Sequence, residues 1–253
     1  MTGRLFVVGL GPGKADWITP EVSATLALAT DVVGYEPYVA RVADRPGLVR
    51  HASDNRVEID RARDALALAM QGRTVAVVSG GDPGVFAMAA AVFEAIEAGD
   101  PAWRGLDVTV MPGVSAMQAA AARLGAPLGH DFCAISLSDN LKPWSVVARR
   151  LAAAAQGDFV IALYNPASKA RPGQIHEAFA LLRGLKGPET PVVFARAVGR
   201  PDERIAITTL GDADPATADM STLVIIGSSE TRLLPRPAAE PWVYTPRHYG
   251  AAR

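Results

Sequence analysis

Three glycine-rich loops, each directly after a short apolar run, are the places where this sequence could bind a ligand. They are Gly-Leu-Gly-Pro-Gly at 9–13, Ser-Gly-Gly-Asp-Pro-Gly at 79–84 and Met-Pro-Gly-Val-Ser-Ala at 111–116. Loops at the carboxyl ends of strands form the ligand sites of open α/β sheets. Glycine lets a ligand approach the backbone, and Asp82 could accept hydrogen bonds from a hydroxyl or an amine. Alternatively, Asp82 and Ser115 serve the fold alone by capping the helices that follow.

The first loop also raises the alternative of a dinucleotide site, which its details disfavour. The G-x-G-x-x-G fingerprint needs a glycine at position 14, where this chain has Lys14. Pro12 removes an N–H group from the loop that would have to cradle the phosphates. An NAD-dependent oxidoreductase is therefore kept only as an alternative of another class.

Composition and charge argue against several kinds of protein. The 253 residues include 25 Lys and Arg against 26 Asp and Glu, a formal net charge of −1, which gives no electrostatic reason to expect nucleic-acid binding. A single cysteine, Cys133, and four histidines without ligand spacing predict no disulfide and no protein-bound metal. Because no apolar run is long enough to span a membrane, we expect a soluble, cytoplasmic protein without a membrane partner.

Short β-branched runs alternate with longer Ala- and Leu-rich segments, which predicts an α/β fold. Strands are expected at 5–9, 31–34, 74–78, 106–111, 132–137, 158–163, 191–195, 203–208 and 222–226. Helices are expected at 19–29, 54–70, 85–98, 114–124, 143–155 and 174–183. A change of character near Gly113 suggests two domains, 1–113 and 114–253. Strands 203–208 and 222–226 are expected to pair antiparallel, and four prolines after residue 233 predict an irregular tail.

Taken together, the three loops in this order and spacing resemble those of the class III S-adenosylmethionine-dependent tetrapyrrole methyltransferases of cobalamin and sirohaem biosynthesis. The resemblance runs from Val-Val-Gly-Leu-Gly-Pro-Gly at 7–13 to Leu-Val-Ile-Ile-Gly at 223–227. Four segments make the chain most similar to the branch that methylates C17 of precorrin-3B. They are 78–88, Ser-Leu-Ser-Asp-Asn-Leu-Lys-Pro-Trp at 136–144, Leu-Tyr-Asn-Pro at 163–166 and Ala-Val-Gly-Arg at 197–200.

The resemblance implies two α/β domains with the active-site cleft between them, usually in a homodimer. It implies S-adenosyl-L-methionine as the cofactor, bound by residues from both domains. Those cofactor-binding residues would be Gly80, Gly81, Asp82, Val85, Ser115, Ala116, Tyr164, Asn165 and Ala197. The first loop would instead face the tetrapyrrole, precorrin-3B, through Gly11, Pro12 and Gly13.

The implied reaction also contracts the ring to precorrin-4, a step that an acid or a base would assist. The candidates for that role are Asp139, Lys142 and Arg196, with His130 as a weaker one, and contraction without a protein base stays open. The acceptor carries carboxylates, which arginine binds well. Candidates for carboxylate binding are Arg41, Arg171 and Arg200, together with Arg45, Arg50 and Lys169.

Two further alternatives remain on the sequence alone. The chain could methylate another precorrin or uroporphyrinogen III with the same fold, or it could carry a tetrapyrrole without catalysis. A carrier would not need a loop such as 80–82, which suits cofactor binding.

Overall fold

The computed structural model describes residues 3–55, 57–168 and 171–250, so the candidate Lys169 lies outside the described residues. The chain divides into two compact units, Met1–Ser115 and Ala116–Arg253. The domain boundary suggested by the sequence, after Gly113, lies two residues before this division. Each unit is built around its own five-stranded sheet.

The first unit contains a five-stranded sheet in the order β3-β2-β4-β1-β5, with every neighbouring pair parallel. Its strands are β1 (Arg4–Gly9), β2 (Asp31–Tyr35), β3 (Val49–Ser53), β4 (Thr74–Ser79) and β5 (Asp107–Met111). Its helices are α1 (Pro20–Leu28), α2 (Glu36–Val39), α3 (Glu58–Met70) and α4 (Met88–Ala98). The nearly continuous burial of β1, β2 and β4 is typical of a parallel sheet covered on both faces.

The local sequence explains where these helices begin. Thr19 caps α1, because its hydroxyl accepts a hydrogen bond from the N–H of Val22 (3.2 Å) and Pro20 follows it. The helix expected from residue 85 begins only at Met88, since Phe86 adopts a left-handed backbone with φ of +53° that a helix cannot include. The sequence did not predict α2 or β3, and the expected caps at 54–55 do not form, because Val57 precedes α3.

The second unit contains a five-stranded sheet in the order β10-β9-β11-β8-β7 and a three-stranded sheet in the order β12-β13-β6. The larger sheet is formed by β7 (Phe132–Ser136), β8 (Val160–Tyr164), β9 (Pro191–Arg196), β10 (Arg204–Thr209) and β11 (Thr222–Ile226). The smaller is formed by β6 (Gly125–Ala126), β12 (Arg232–Arg236) and β13 (Ala239–Tyr244). The helices are α5 (Ala116–Leu124), α6 (Trp144–Gln156) and α7 (Gln174–Arg183). Leu151, Ile161 and Phe179 are fully buried in the core of the second unit.

The expected pairing of strands 203–208 and 222–226 with each other is wrong. β10 and β11 both run antiparallel to β9, which lies between them. The segment from 210 to 221 is long enough to cross β9, so the nearness of two strands in the sequence did not decide which strands pair.

The irregular tail expected after residue 233 is wrong as far as Tyr244, while residues 245–250 lie in no strand or helix. β12 and β13 form an antiparallel pair, and β13 adds a short parallel pairing with β6. Proline has no N–H to donate to a strand partner. At Pro235 the pairing of β12 with β13 is interrupted by a shift in register between Leu234 and Arg236. This shift in register lets the β12–β13 pair accommodate proline. Between the two strands, Ala238 adopts a left-handed backbone with φ of +54°.

Asp31, at the amino end of β2, is a buried charge on which the stability of the first unit should depend. Its carboxylate is 1% exposed and accepts hydrogen bonds from Arg73 Nε (2.6 Å) and Thr30 Oγ1 (2.7 Å), with His51 Nε2 at 2.9 Å. Burial would raise the pKa of Asp31, but these hydrogen bonds outweigh burial and lower it.

Replacing Asp31 with asparagine is therefore expected to cost about 3 kcal/mol of unfolding free energy at pH 7. Because the pKa of Asp31 is lower in the folded than in the unfolded state, its contribution is present above about pH 3.9 and is lost as the pH falls through the folded pKa. Urea titrations at pH 7 and at pH 3 would measure this. The difference between wild type and Asp31→Asn should shrink at the lower pH, and an unchanged difference would contradict the assignment.

Candidate active site

The three glycine loops of the first unit meet at one edge of its sheet. β1 lies between β4 and β5, and all three strands are parallel, so the loops after them share the carboxyl edge. The N–H of Gly11 donates to the Gly81 carbonyl (3.1 Å), and the N–H of Gly81 donates to the Gly11 carbonyl (3.0 Å). A Cβ on Gly113 would lie 2.4 Å from the carbonyl oxygen of Gly81 and 2.9 Å from Cα of Gly9. The loops touch backbone to backbone, which only glycine allows.

Asp82 joins the second loop to the third. Its Oδ1 accepts a hydrogen bond from the N–H of Gly84 (2.8 Å), and its Oδ2 accepts one from the N–H of Gly113 (3.0 Å). Since α4 begins only at Met88, Asp82 closes its own turn and does not cap that helix. An ionised carboxylate can accept about four hydrogen bonds, so Asp82 keeps capacity for a ligand donor.

Arginines 41, 45 and 50, considered for carboxylate binding, donate to backbone carbonyls of their own unit. Arg41 donates to three carbonyls of the first loop, those of Leu10 (2.5 Å), Gly11 (2.8 Å) and Gly13 (3.2 Å). Arg45 and Arg50 donate to the carbonyls of Leu26, Ala29, Val39 and Val42. Arg41 thus fixes the shape of the loop that was expected to face the substrate.

Tyr38, which the sequence analysis did not select, lies against the second loop. A Cβ on Gly80 would come within 2.7 Å of the Tyr38 ring, so glycine is required there. The ring is itself held edge to face by Tyr35, with centroids 5.5 Å apart. No spacing in the sequence connects positions 38 and 80, because the contact depends on the pairing of β2 with β4.

The first loop lacks the structure of a dinucleotide site. In that site a helix begins at the glycine loop and directs its N–H groups at the phosphates. Here α1 begins at Pro20, seven positions after Gly13, with a short 3₁₀ turn at Ala15–Trp17 between them. The N–H of Gly11 is also occupied by the Gly81 carbonyl. These observations argue against the NAD alternative.

The candidate residues of the second unit also gather at one sheet edge. β8 and β9 both run antiparallel to β11, and β7 runs parallel to β8, so β7, β8 and β9 share a direction. Their carboxyl ends therefore lie at the same edge as the amino ends of β10 and β11. The residues at this edge are Asp139, Lys142, Tyr164, Asn165, Arg171, Arg196, Ala197 and Arg200.

Two residues expected to bind the cofactor have left-handed backbones directly after their strands. Asn165 follows β8 with φ of +52°, and Ala197 follows β9 with φ of +50°. Such conformations cost on the order of 1–3 kcal/mol outside glycine and concentrate at functional sites. Asn165 is fixed by its Nδ2, which donates to Ser136 Oγ (2.9 Å). Ser136, which the sequence presents only as the first residue of a motif, therefore holds the Asn165 side chain in place.

Tyr164, at the end of β8, is hydrogen-bonded to the start of α5. The Tyr164 hydroxyl accepts a hydrogen bond from the N–H of Met117 (3.1 Å), within the first turn of α5. Ala116 is the first residue of that helix and is half-buried. In the first unit, Ser115 is 3% exposed, while Val85 is half-buried in the turn before α4.

Asp139 and Lys142, two of the acid–base candidates, lie close to Arg171 and Gln174. Gln174 Nε2 donates to Asp139 Oδ2 (2.9 Å), and Arg171 Nε lies 3.9 Å from Asp139 Oδ1. Lys142 Nζ donates to the carbonyl of Ser138 (3.0 Å). Burial lowers the pKa of Lys142, and the positive charges of Arg150 and Arg171 lower it further. Asp139 does not cap α6, because Pro143 precedes that helix without a side-chain cap.

Arg196, the third candidate, has its guanidinium between two carboxylates. Nε donates to Asp219 Oδ2 (2.8 Å), and Nη1 donates to Asp202 Oδ2 (2.7 Å). These hydrogen bonds raise the pKa of Arg196, so proton transfer from it is unfavourable. The Arg200 side chain is exposed at the same edge.

Other residues considered from the sequence have simpler surroundings. Trp144 packs against the core of the second unit, as does Cys133, whose thiol has a pKa raised by burial. His130 lies 3.8 Å from the exposed Asp131. Within residues 3–55, 57–168 and 171–250, no three His, Cys, Asp or Glu side chains are grouped so as to hold a metal ion. None of the helices in those same ranges is long and apolar enough to cross a membrane.

Comparison with known sequences identifies related proteins over the whole chain. Residues 4–214 match the family described as tetrapyrrole (corrin/porphyrin) methylases. A precorrin-3B C(17)-methyltransferase from a Sinorhizobium species is 60% identical over 252 residues, covering 100% of this chain and 99% of that protein. The cobalamin biosynthesis protein CobIJ of Mycobacterium tuberculosis is 51% identical, covering 100% of this chain and 49% of its own length.

Solved structures give the same result for the fold. The crystal structure of the methyltransferase CobJ superimposes with a TM-score of 0.92 at 55% identity, covering 97% of this chain and 100% of that chain. A uroporphyrin-III C-methyltransferase from Thermus thermophilus, solved with S-adenosylhomocysteine, has a TM-score of 0.65 at 22% identity. That match covers 89% of this chain and 97% of the other, and it shows a shared fold.

Proposed function

The chain belongs to the tetrapyrrole (corrin/porphyrin) methylase family, and from this membership we propose that it transfers a methyl group from S-adenosylmethionine to C17 of precorrin-3B, with contraction of the ring to precorrin-4. The full-length identity of 60% to a precorrin-3B C(17)-methyltransferase carries the proposal. The segments at 136–144 and 163–166 favour this acceptor over another precorrin or uroporphyrinogen III, and they lie at the edge where the second unit gathers its candidate residues.

The chemistry of the residues at both sheet edges suits S-adenosylmethionine. The cofactor carries hydroxyl and ammonium donors, and Asp82 retains acceptor capacity beside the backbone of residues 80–84. The cofactor supplies a methyl group activated by a sulfonium whose charge disappears during transfer, so a neutral backbone surface suits the sulfur. We propose Gly80, Gly81, Asp82, Val85, Ser115 and Ala116 as its ligands from the loops of the first unit and the start of α5, and Tyr164, Asn165 and Ala197 as its ligands from the strand ends of the second unit.

The residues of this chain would otherwise act by holding the acceptor carbon in line with the methyl group. We propose that Gly11, Pro12 and Gly13 face the tetrapyrrole and that Arg41 keeps them in place by binding their carbonyls. Arg200 remains a proposed ligand of the substrate's carboxylates, because its side chain is exposed at the edge.

For the ring contraction we propose Asp139 as the base. It lies after β7 at the edge that carries the other candidates, and it is oriented by Gln174. Arg196 is better suited to hold the loop after β9 against Asp219 and Asp202 than to move a proton.

Single turnover with methyl-labelled S-adenosylmethionine and precorrin-3B tests the function. The expected product is one labelled methyl heavier and has a changed absorption spectrum. Label transfer with an unaltered spectrum would keep the methyltransferase and discard contraction by this chain alone. No transfer despite binding of S-adenosylhomocysteine would mean another acceptor, and calorimetry with S-adenosylhomocysteine and with NAD separates the oxidoreductase and carrier alternatives.

Asp82→Ala is expected to weaken S-adenosylhomocysteine binding by roughly 1.5–3 kcal/mol, the value of a charged hydrogen bond. Asp82→Asn separates two causes, because its amide oxygen can replace one carboxylate acceptor in the loop while the charge is lost. Calorimetry on both variants gives the comparison. If neither variant changes the affinity, Asp82 does not belong to the cofactor site.

We further propose that the chain forms a homodimer in the cytoplasm, as the resemblance implies. Analytical ultracentrifugation of the purified protein at micromolar concentration would give a mass of about twice that of one chain. A single-chain mass at all concentrations would exclude the dimer.

A further inference from the structure

The loop after β8 and the first turn of α7 contain an unusual group of buried polar atoms. Ser168 Oγ, Arg171 Nη1 and Gln174 Oε1 are each buried, and in the part of the chain that the structure describes they have no hydrogen-bond partner. The Arg171 side chain is only 10% exposed. Because leaving buried polar groups unpaired is costly, the two donors among them, Ser168 Oγ and Arg171 Nη1, indicate a place where an acceptor on a ligand supplies the partners. Gln174 Oε1 can only accept a hydrogen bond, so it does not contribute to this argument.

The charges around these atoms are mostly positive. The ammonium group of Lys142 is near enough to feel the positive charges of Arg150 and Arg171. Asp139 is the negative charge that interacts with Lys142. Asp139 also receives the hydrogen bond from Gln174. The cluster therefore holds more cations than anions, and an anion would be attracted to it.

A cavity of about 480 Å³ opens at the same edge of the second unit. Its wall includes Ser168 and Pro172, which lie on either side of Arg171 in the chain, together with Ile175 and Ala218. The wall also contains Asp219, whose carboxylate is paired with Arg196 (2.8 Å). The apolar part of this wall suits methylene groups, and the Ser168 hydroxyl supplies a donor. The cavity could thus take a short aliphatic arm that ends in an acid.

We propose that Arg171 and Ser168, assisted by Lys142, bind one carboxylate arm of the tetrapyrrole substrate, with the cavity accepting the methylene stem of that arm. The inference rests on the proposed function. Arg171 offers its unpaired Nη1, Ser168 offers its hydroxyl, and Lys142 keeps further N–H donors beyond the one bound to the Ser138 carbonyl. One arm held here would fix the rotation of the macrocycle and so the pyrrole ring presented for methylation.

Steady-state kinetics with precorrin-3B tests the proposal through KM and kcat measured separately. Arg171→Gln is expected to raise KM for the tetrapyrrole roughly 10- to 100-fold with little change in kcat, as loss of a charged hydrogen bond predicts. Ser168→Ala, too small a change to threaten folding, should raise KM about 5-fold. The matched control Arg149→Gln removes an exposed arginine of α6 and should leave both constants unchanged.

A binding measurement keeps the proposal testable independently of turnover. Fluorescence titration with uroporphyrin, which carries eight carboxylates, should show weaker binding to Arg171→Gln than to wild type. The octamethyl ester of uroporphyrin has no free carboxylate and should bind both proteins with the same affinity. Wild type that binds uroporphyrin in this way but transfers no methyl group would overturn the proposed function alone. Unchanged uroporphyrin binding and KM in both variants would overturn the carboxylate site. A weaker affinity for S-adenosylhomocysteine instead would assign the carboxylate to the cofactor and also overturn it.

Discussion

Gly113→Ala is expected to destabilise the first unit by about 1–3 kcal/mol and to weaken S-adenosylhomocysteine binding by at least 10-fold. The added Cβ would lie 2.4 Å from the carbonyl oxygen of Gly81, where real Cβ atoms do not occur. The third loop would have to move away from the second, which breaks the hydrogen bond between the Gly113 N–H and Asp82. Thermal unfolding and calorimetry measure the two effects.

Gly105→Ala is the matched control for this experiment. Gly105 belongs to the same unit, and a Cβ there would meet no atom within 4 Å. The control should therefore keep wild-type melting temperature and affinity, since the substitution adds no contact. If Gly113→Ala behaved like Gly105→Ala, the backbone contact of the three loops would be irrelevant to the site.

The sequence predicts the three glycine loops but not that they contact one another. Glycines after apolar runs identify strand ends, and the α/β alternation predicts that these ends carry the site. The order of strands in the sheet is not contained in that pattern. Only because β1 lies between β4 and β5 do Gly9, Gly81 and Gly113 come into contact.

The roles of three arginines also could not be predicted from the sequence. Arg41, Arg45 and Arg50 follow one another at short spacing, and the type of residue alone favours carboxylate binding. In the structure each donates to backbone carbonyls of the turns and helix ends around it, within its own unit. A guanidinium satisfies such groups as well as it satisfies a substrate, and only the fold distinguishes the two uses.

Arg171 differs from those arginines in a way that the sequence could not show. Among the residues that the structure describes, its Nη1 is buried without a hydrogen-bond partner, and so are the Ser168 Oγ and Gln174 Oε1 atoms nearby in the chain. A serine in a loop and a glutamine at the start of a helix are too common to be selected from sequence, so neither was predicted. The unpaired atoms become visible only when every hydrogen bond around them is known.

The second large effect is expected for Asp139→Asn, which should separate methyl transfer from ring contraction. Asparagine has the same shape and can still accept the hydrogen bond from Gln174 Nε2, so the loop after β7 should keep its position. It cannot remove a proton, and general base catalysis is typically worth 10²- to 10⁴-fold. We expect methyl transfer within a few-fold of wild type and contraction slowed by at least about 100-fold.

Single-turnover reactions followed by mass and by absorption would resolve the two steps in this variant. A labelled product with an uncontracted chromophore supports Asp139 as the base. Equal loss of both steps would instead make Asp139 a positioning residue, acting through Gln174 and Arg171, and full retention of both would favour contraction without a protein base. KM for the tetrapyrrole gives an independent check, because removing the negative charge beside Arg171 should not weaken a carboxylate bound there. A raised KM in Asp139→Asn would therefore count against the carboxylate site.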